Sequence, residues 1–396
     1  MDLTIKIETI PQKEKPFIWA WIIYLAVKIL TTSFYARFLP EHINLFLICI
    51  CIPLLILHEL INLKSSYKEL LGIVVCFILI IITMRLKFMG GGGTDIALMF
   101  TFIYCARKVS FCRVAKYTIG ETSFLVAFII ISSFLGIIDN YMETGARFRQ
   151  YVGFRYALFG PAFLFNVTLL LIYIRKMEIS WKEIVIVSLA DIFLYIWTDS
   201  RLSFGLTLLA LLFAIIAKYK WKYFNQKHWW YWLVVFSFAI CAFISFIMTV
   251  RYDSGNEFLK NLNRFLGGRL SLGQTSLMKY GVNMWGQNIE WVGNGLDIYG
   301  RRSTEAYLYV DCLYIQLLQH YGIVFLGLII VLLTSMMGVC YKHGNYYLLI
   351  IFGFIAAHCI LDDSSWQLYY NTFWLAVGTM LMHRNNKLFS QDMEIK

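Results

Sequence analysis

YGIVFLGLIIVLLTSMMGVCY (321–341) is a run of twenty-one residues without a charged side chain, followed at once by Lys342 and His343. Its length matches the roughly 20 apolar residues that an α-helix needs to cross the hydrocarbon of a bilayer. Working outward from it, comparable runs recur at 17–36, 42–62, 70–84, 95–106, 120–139, 159–174, 183–198, 202–217, 230–250, 345–361 and 367–383. About twelve spans are therefore expected. The fourth is short and follows the Gly90–Gly93 run, which reads as a flexible turn or as a set of backbone donors for a phosphate. With 59% hydrophobic and 15% charged residues over 396, no stretch remains for a soluble domain. The fold class expected is an all-α polytopic integral membrane protein, a single unit over 1–396 with one large exterior loop at 251–320 between spans nine and ten.

The charges orient it. On this scheme sixteen of the twenty lysines fall on the side of the two termini, whereas eleven of the fifteen arginines fall on the other. The terminal side carries twenty basic residues in short segments against seven opposite, once the long loop is discounted, so both termini are expected to be cytoplasmic. A net charge of +11 in a soluble protein would suggest nucleic acid. Here the basic residues sit in short loops where they set topology, and no nucleic-acid partner is expected.

The nine cysteines lie mostly inside apolar runs, without metal-ligand spacing, and read as small core residues; no metal is expected. The apolar run from Phe17 is too long for a signal-peptide core and reads as an uncleaved first span. No repeat relates the two halves, which argues against a two-fold transporter. Within the long loop, Phe258, Leu259, Leu262, Phe265 and Leu266 have helical spacing with Lys260, Arg264 and Arg269 among them, predicting a helix at the membrane surface. Tyr307 to His320 predicts a second amphipathic helix. Among charges inside spans, Lys28 would pair with Glu59 if spans one and two pack together, and Asp191 reads as a hydrogen-bonding node between helices.

The arginine surplus needs its own reason. Arg147, Arg149 and Arg155 precede span six, Arg201 sits in the link Asp199-Ser200-Arg201 between spans seven and eight, and Arg251, Arg264, Arg269, Arg301 and Arg302 lie in the long loop. Guanidinium presents a planar fork of donors matched to phosphate oxygens, so several converging on one exterior cleft would bind a diphosphate. Each alone can instead snorkel to headgroups or pair with Asp199, Asp253 or Glu257.

Four stretches, GFRYALFGPAFLFN (153–166), TDSRLSFGLTLLALL (198–212), FLGGRLSLGQTSLMKYG (265–281) and VDCLYIQLLQHYGIVFLGLII (310–330), resemble in order and spacing the Wzy-type O-antigen and capsular polysaccharide polymerases, relatives of the O-antigen ligases. The resemblance covers roughly residues 120–385. It implies a bundle related to the type C glycosyltransferases at the outer face of the bacterial cytoplasmic membrane. There a growing glycan would pass from undecaprenyl pyrophosphate to a hydroxyl of a fresh lipid-linked repeat unit, with inversion and without metal, nucleotide sugar or other cofactor. The partners implied are the lipid-linked donor and acceptor, the bilayer, a chain-length regulator and a flippase.

On that reading Arg155, Arg201 and Arg269 match the motifs and would hold the pyrophosphate, supported by Arg147, Arg149 and Arg264. Asp311 stands where the related ligases have a histidine and is the candidate base, with His320 the other candidate. Asp311 can equally cap the following helix, and His320 can be a headgroup-level histidine. Asp362 and Asp363, beside Trp366, Tyr369 and Tyr370, can bind sugar or form an ordinary polar link. A ligase-like transferase would use the same arginines, while a flippase or transporter would line a path through the bundle with charge.

Overall fold

The computed structural model describes residues 10–62, 67–85, 92–144 and 148–382. In chain order its helices are α1 Lys15–Thr31, α2 Ile43–Ile61, α3 Tyr67–Arg85, α4 Gly92–Cys105, α5 Phe111–Phe134, α6 Phe159–Arg175, α7 Trp181–Thr198, α8 Arg201–Phe224, α9 Tyr231–Val235, α10 Ser237–Val250, α11 Glu257–Phe265, α12 Arg269–Tyr280, α13 Leu313–His320, α14 Gly322–Lys342, α15 Tyr346–Leu361 and α16 Trp374–Met382. Five of these segments, 43–61, 111–134, 159–178, 201–224 and 322–342, are long and apolar enough to cross a membrane. Their outer faces carry exposed Leu, Ile and Phe, as a lipid-facing surface requires. The protein is thus an all-α membrane protein. A short hairpin, β1 Met142–Thr144 and β2 Phe148–Gln150, pairs Glu143 with Arg149.

The helix ends depart from the sequence reading for local reasons. α5 starts nine residues earlier than the apolar window, because Arg113 and Lys116 are good helix formers that a hydropathy window rejects. It stops where Gly136 takes φ +73 and its N–H and that of Ile137 bond the carbonyls of Ser133 and Ser132. The ninth apolar segment is broken at Phe236 into α9 and α10. In the twelfth, helix begins only at Trp374; before it Asn371 and the Trp374 indole both bond Ser365 O, and Asn166 holds Thr372 by its side chain and backbone N–H.

The 251–320 loop differs most. α11 forms as expected, with Phe258 and Phe265 exposed. The second surface helix does not. Residues around Leu308 are extended and bridge to Val292, and only Leu313–His320 is helical, with every one of its side chains buried. Asp311 does not cap it, since the N-cap is Cys312.

α1 packs against α2 and α5, α4 joins α2 to α16, and α15 sits among α8, α10 and α14. At one end of the bundle the basic residues are matched by carboxylates. Arg107 is fully buried and bidentate to Glu59 at 2.7 and 2.6 Å, Lys108 reaches Glu59 at 3.2 Å, Arg113 pairs with Glu14 and Arg175 with Glu183. Glu59 is therefore not the partner of Lys28. Lys28 lies at the other end of α1, one α1 length away, and bonds Asp95 of α4 at 2.6 Å and Asn44 of α2 at 2.9 Å. Asp191 is buried, but its Oδ2 has no hydrogen-bond partner among the described residues, so the expected interhelical node is not formed there.

The 251–320 loop is locked to α14 by backbone contact. Gly322 (φ +88) faces Gly286 and Met284, and a Cβ on it would collide with their backbone atoms. Gly322→Ala should cost roughly 2–4 kcal/mol through strain and overlap, lowering the thermal midpoint of the solubilised protein by several degrees. Gly327→Ala, in the same helix with open space around its Cβ, should leave the midpoint unchanged or raise it.

Candidate functional site

The site is organised around Arg269. The chain enters α12 through Gly267 and Gly268, both at positive φ (+69 and +88), a conformation cheap only for glycine. That reversal folds the Arg269 side chain inward. Its Nη1 donates to Leu266 O at 2.8 Å and its Nε to Leu361 O at 2.7 Å, with Asp311 Oδ2 3.4 Å away. The pair is 13% and 14% exposed at the two side chains, so each charge depends on the other for neutralisation.

Two spaces adjoin this pair. A small cleft of about 40 Å³ is lined by Arg149, Ser200, Arg201, Arg269 and Asp362. A large cavity of about 1130 Å³ is lined by Lys28, Asp95, Arg155, Asp311, Asp362 and Asp363, with Tyr156, Trp291, Tyr307, Tyr309, Tyr369 and Tyr370 supplying ring surface. Asp362 and Leu158 border both.

The walls are positioned by backbone. Arg155 N donates to Thr32 O and Arg155 O accepts from Leu296 N, both at 2.9 Å, so one residue ties the end of α1 to the 288–296 segment. That segment is held from behind by a buried node. Ser276 Oγ donates to Gln319 Oε1 at 2.8 Å and accepts from Trp291 Nε1 at 2.9 Å. Asp363 Oδ2 accepts from Tyr309 Oη at 2.7 Å and from Gln316 Nε2 at 3.0 Å.

The expected residues separate into groups. Arg149, Arg201 and Arg269 come together in the cleft, whereas Arg155 and Asp311 face the cavity. Arg201 is exposed and bonds Asp199 through Nε at 2.9 Å and Nη2 at 3.3 Å, realising the pairing that the sequence allowed. Arg264 is exposed on α11 and borders neither space. Arg147 lies outside the described residues. His320 is fully buried with its ring edge-on to Trp291, 4.5 Å between centroids, and borders neither space. Burial pushes its pKa down to about 4, leaving the ring neutral at physiological pH. Tyr307, Tyr309 and the Lys28–Asp95 pair were not singled out for the site, whereas Asp362 and Asp363 were named as able to bind sugar or form a polar link, and both line the cavity. Asp362 and Asp363 stood next to Tyr369 and Tyr370 in the sequence, a usable signal, whereas Asp95 has no local cue.

Electrostatics distinguishes the carboxyls. Burial raises Asp311, with Arg269 opposing and Asp362 adding to the rise. Asp363 is pushed up to about 8 by burial, then by Asp362 and Asp311, against the bonds from Tyr309 and Gln316. It is therefore mostly a neutral acid at pH 7. Burial lowers Arg155. Among the described residues Arg149 and Arg155 form no ion pair, and the Nε of each is buried without a partner. No three His, Cys, Asp or Glu side chains among the described residues are grouped as metal ligands.

No family model, no curated protein and no solved structure matches the chain.

A carboxyl raised in the folded state contributes stability that is complete below its unfolded value near 4 and is lost as pH rises to about 8. Thermal midpoints measured from pH 5 to pH 8 should therefore fall more in the wild type than in Asp363→Asn, which keeps an acceptor for Tyr309 and has no charge to bury. Equal slopes would show that Asp363 ionises freely.

Proposed function

We propose that the protein is a glycosyltransferase that polymerises a polysaccharide. It moves a growing glycan from a lipid pyrophosphate to a hydroxyl of a fresh lipid-linked repeat unit, as the Wzy-like stretches imply. The observation that carries the reading is the juxtaposition of an arginine-lined cleft with a sugar-sized cavity across one ion pair, Arg269–Asp311. The cavity volume of about 1130 Å³ exceeds the roughly 300–1,000 Å³ of ordinary small-molecule pockets, and ring surface beside carboxylates suits stacked, hydrogen-bonded sugars. We place both termini and the ion-paired lysine end in the cytoplasm, with cleft and cavity facing outward.

In this reading Arg149, Arg201 and Arg269 hold the donor's pyrophosphate, and the glycan lies in the cavity. The acceptor oxygen attacks the anomeric carbon from the side opposite the phosphate, giving inversion. The bond from anomeric carbon to phosphate oxygen breaks, and its electron pair stays on the pyrophosphate. The acceptor's proton passes to Asp311, which burial makes more basic than a solvated carboxylate. Once Asp311 is neutral it releases its hold on Arg269, whose charge then serves the departing pyrophosphate. Asp362, bordering both spaces, orients the attacking hydroxyl. His320, buried behind Trp291, supports the wall and takes no proton in this scheme.

Reconstitution with a defined lipid-linked repeat unit should give a ladder of longer lipid-linked chains. Arg149→Lys and Arg269→Lys should each lower the rate about tenfold or more, because an ammonium cannot make the two-pronged contact. Folded wild-type protein that builds no ladder, or lysine variants with wild-type rates, would refute the assignment. Transfer of the glycan to a different lipid acceptor, without elongation, would identify a ligase instead.

A further inference from the structure

The cavity holds polar atoms that the cleft does not use. Arg155 reaches only a backbone carbonyl, Nη2 to Thr31 O at 2.6 Å, and its Nε is buried without a partner. The Tyr370 hydroxyl, in a residue 6% exposed, lies beside Thr32 without reaching hydrogen-bond geometry. Ser364 Oγ, on the same cavity wall, is also buried and unpartnered. Buried donors without partners cost free energy, and such a set persists where a ligand completes it. Arg107 differs in its terminal nitrogens, which both go to the carboxylate of Glu59, although its Nε is likewise buried without a partner.

We infer that Arg155 and Tyr370 form a second oxyanion site, for a phosphate group, distinct from the Arg149–Arg201–Arg269 cleft. Resting on the reading of the cavity as the glycan site, this phosphate belongs to the acceptor lipid. Donor and acceptor must each present a pyrophosphate, and the acceptor's lies a whole repeat unit away from its attacking hydroxyl. One small cleft of about 40 Å³ cannot take both. Lys28, at the same cavity, is already neutralised by Asp95 and so adds no net charge, which leaves Arg155 as the cation of the site. The donor set is suited to phosphate because it combines one charged fork with a hydroxyl donor.

The test is equilibrium binding of radiolabelled undecaprenyl pyrophosphate to the full-length protein in nanodiscs. Two saturable sites per protein are expected. Arg155→Gln should remove one of them. Tyr370→Phe, which loses a single hydroxyl and keeps the ring packing on Phe163, should weaken that site about tenfold and spare the other. Arg269→Lys should weaken the remaining site only. Inorganic pyrophosphate serves as competitor: displacement by lipid alone supports the site and assigns it to the headgroup, whereas equal displacement by the free anion supports it as a general phosphate site. A single site in the wild type, or two undiminished sites in both the Arg155 and Tyr370 variants, overturns the inference. Two sites in a protein that builds no ladder would sink the polymerase reading and leave this site standing.

Discussion

The Arg269–Asp311 contact is the joint at which α12, α15 and the 307–311 segment meet. A single guanidinium ties the start of α12 to the end of α15 through Leu361 O, closes the Gly267–Gly268 reversal through Leu266 O, and faces the extended 307–311 segment through Asp311. Neither charge has enough exposure to be hydrated, so removing one would strand the other. A buried ion pair of this kind is a poor source of stability compared with apolar packing. Its use here is positional: it sets the wall between a small cleft lined by arginines and a large cavity lined by carboxyls and aromatic rings.

Most of the described arginines are paired with a carboxylate. At one end Arg107, Arg113 and Arg175 each find a glutamate, and Lys108 shares two. At the other end Arg149 and Arg155 have no carboxylate among the described residues. The neighbouring arginines are paired as well, Arg201 with Asp199, Arg269 with Asp311, Arg301 with Asp297 and Arg302 with Glu143, so Arg149 and Arg155 stand apart as individual residues. A guanidinium without a carboxylate partner keeps its whole fork of donors for an anion.

Much of the helix order was legible because apolar length and flanking charge are local properties. What failed was whatever long-range contact decides. Lys28 was expected to meet Glu59 on the neighbouring helix, but α1 and α2 run antiparallel, which puts Lys28 and Glu59 at opposite ends. Asp95 meets Lys28 across sixty-seven positions, a pairing that no spacing rule could reveal. The 307–320 stretch carries helical apolar spacing, yet its first half is drawn out by the bridge from Leu308 to Val292 and by Tyr309 reaching Asp363. Of the arginines, Arg201 and Arg269 converged as the motifs implied, while Arg155 turned to the other space because Thr32 and Leu296 hold its backbone there.

The carboxyls complete the division of labour. Asp311, Asp362 and Asp363 border one cavity, and three ionised carboxylates so close together would repel one another. The structure relieves this by keeping Asp363 largely protonated, with Tyr309 and Gln316 fixing its orientation. Asp311 is matched by Arg269, which leaves Asp362 as the acceptor at the border of cleft and cavity. The local charge around Arg269 is then close to balanced, so the cleft stays attractive to an anion even though it sits beside an acidic wall.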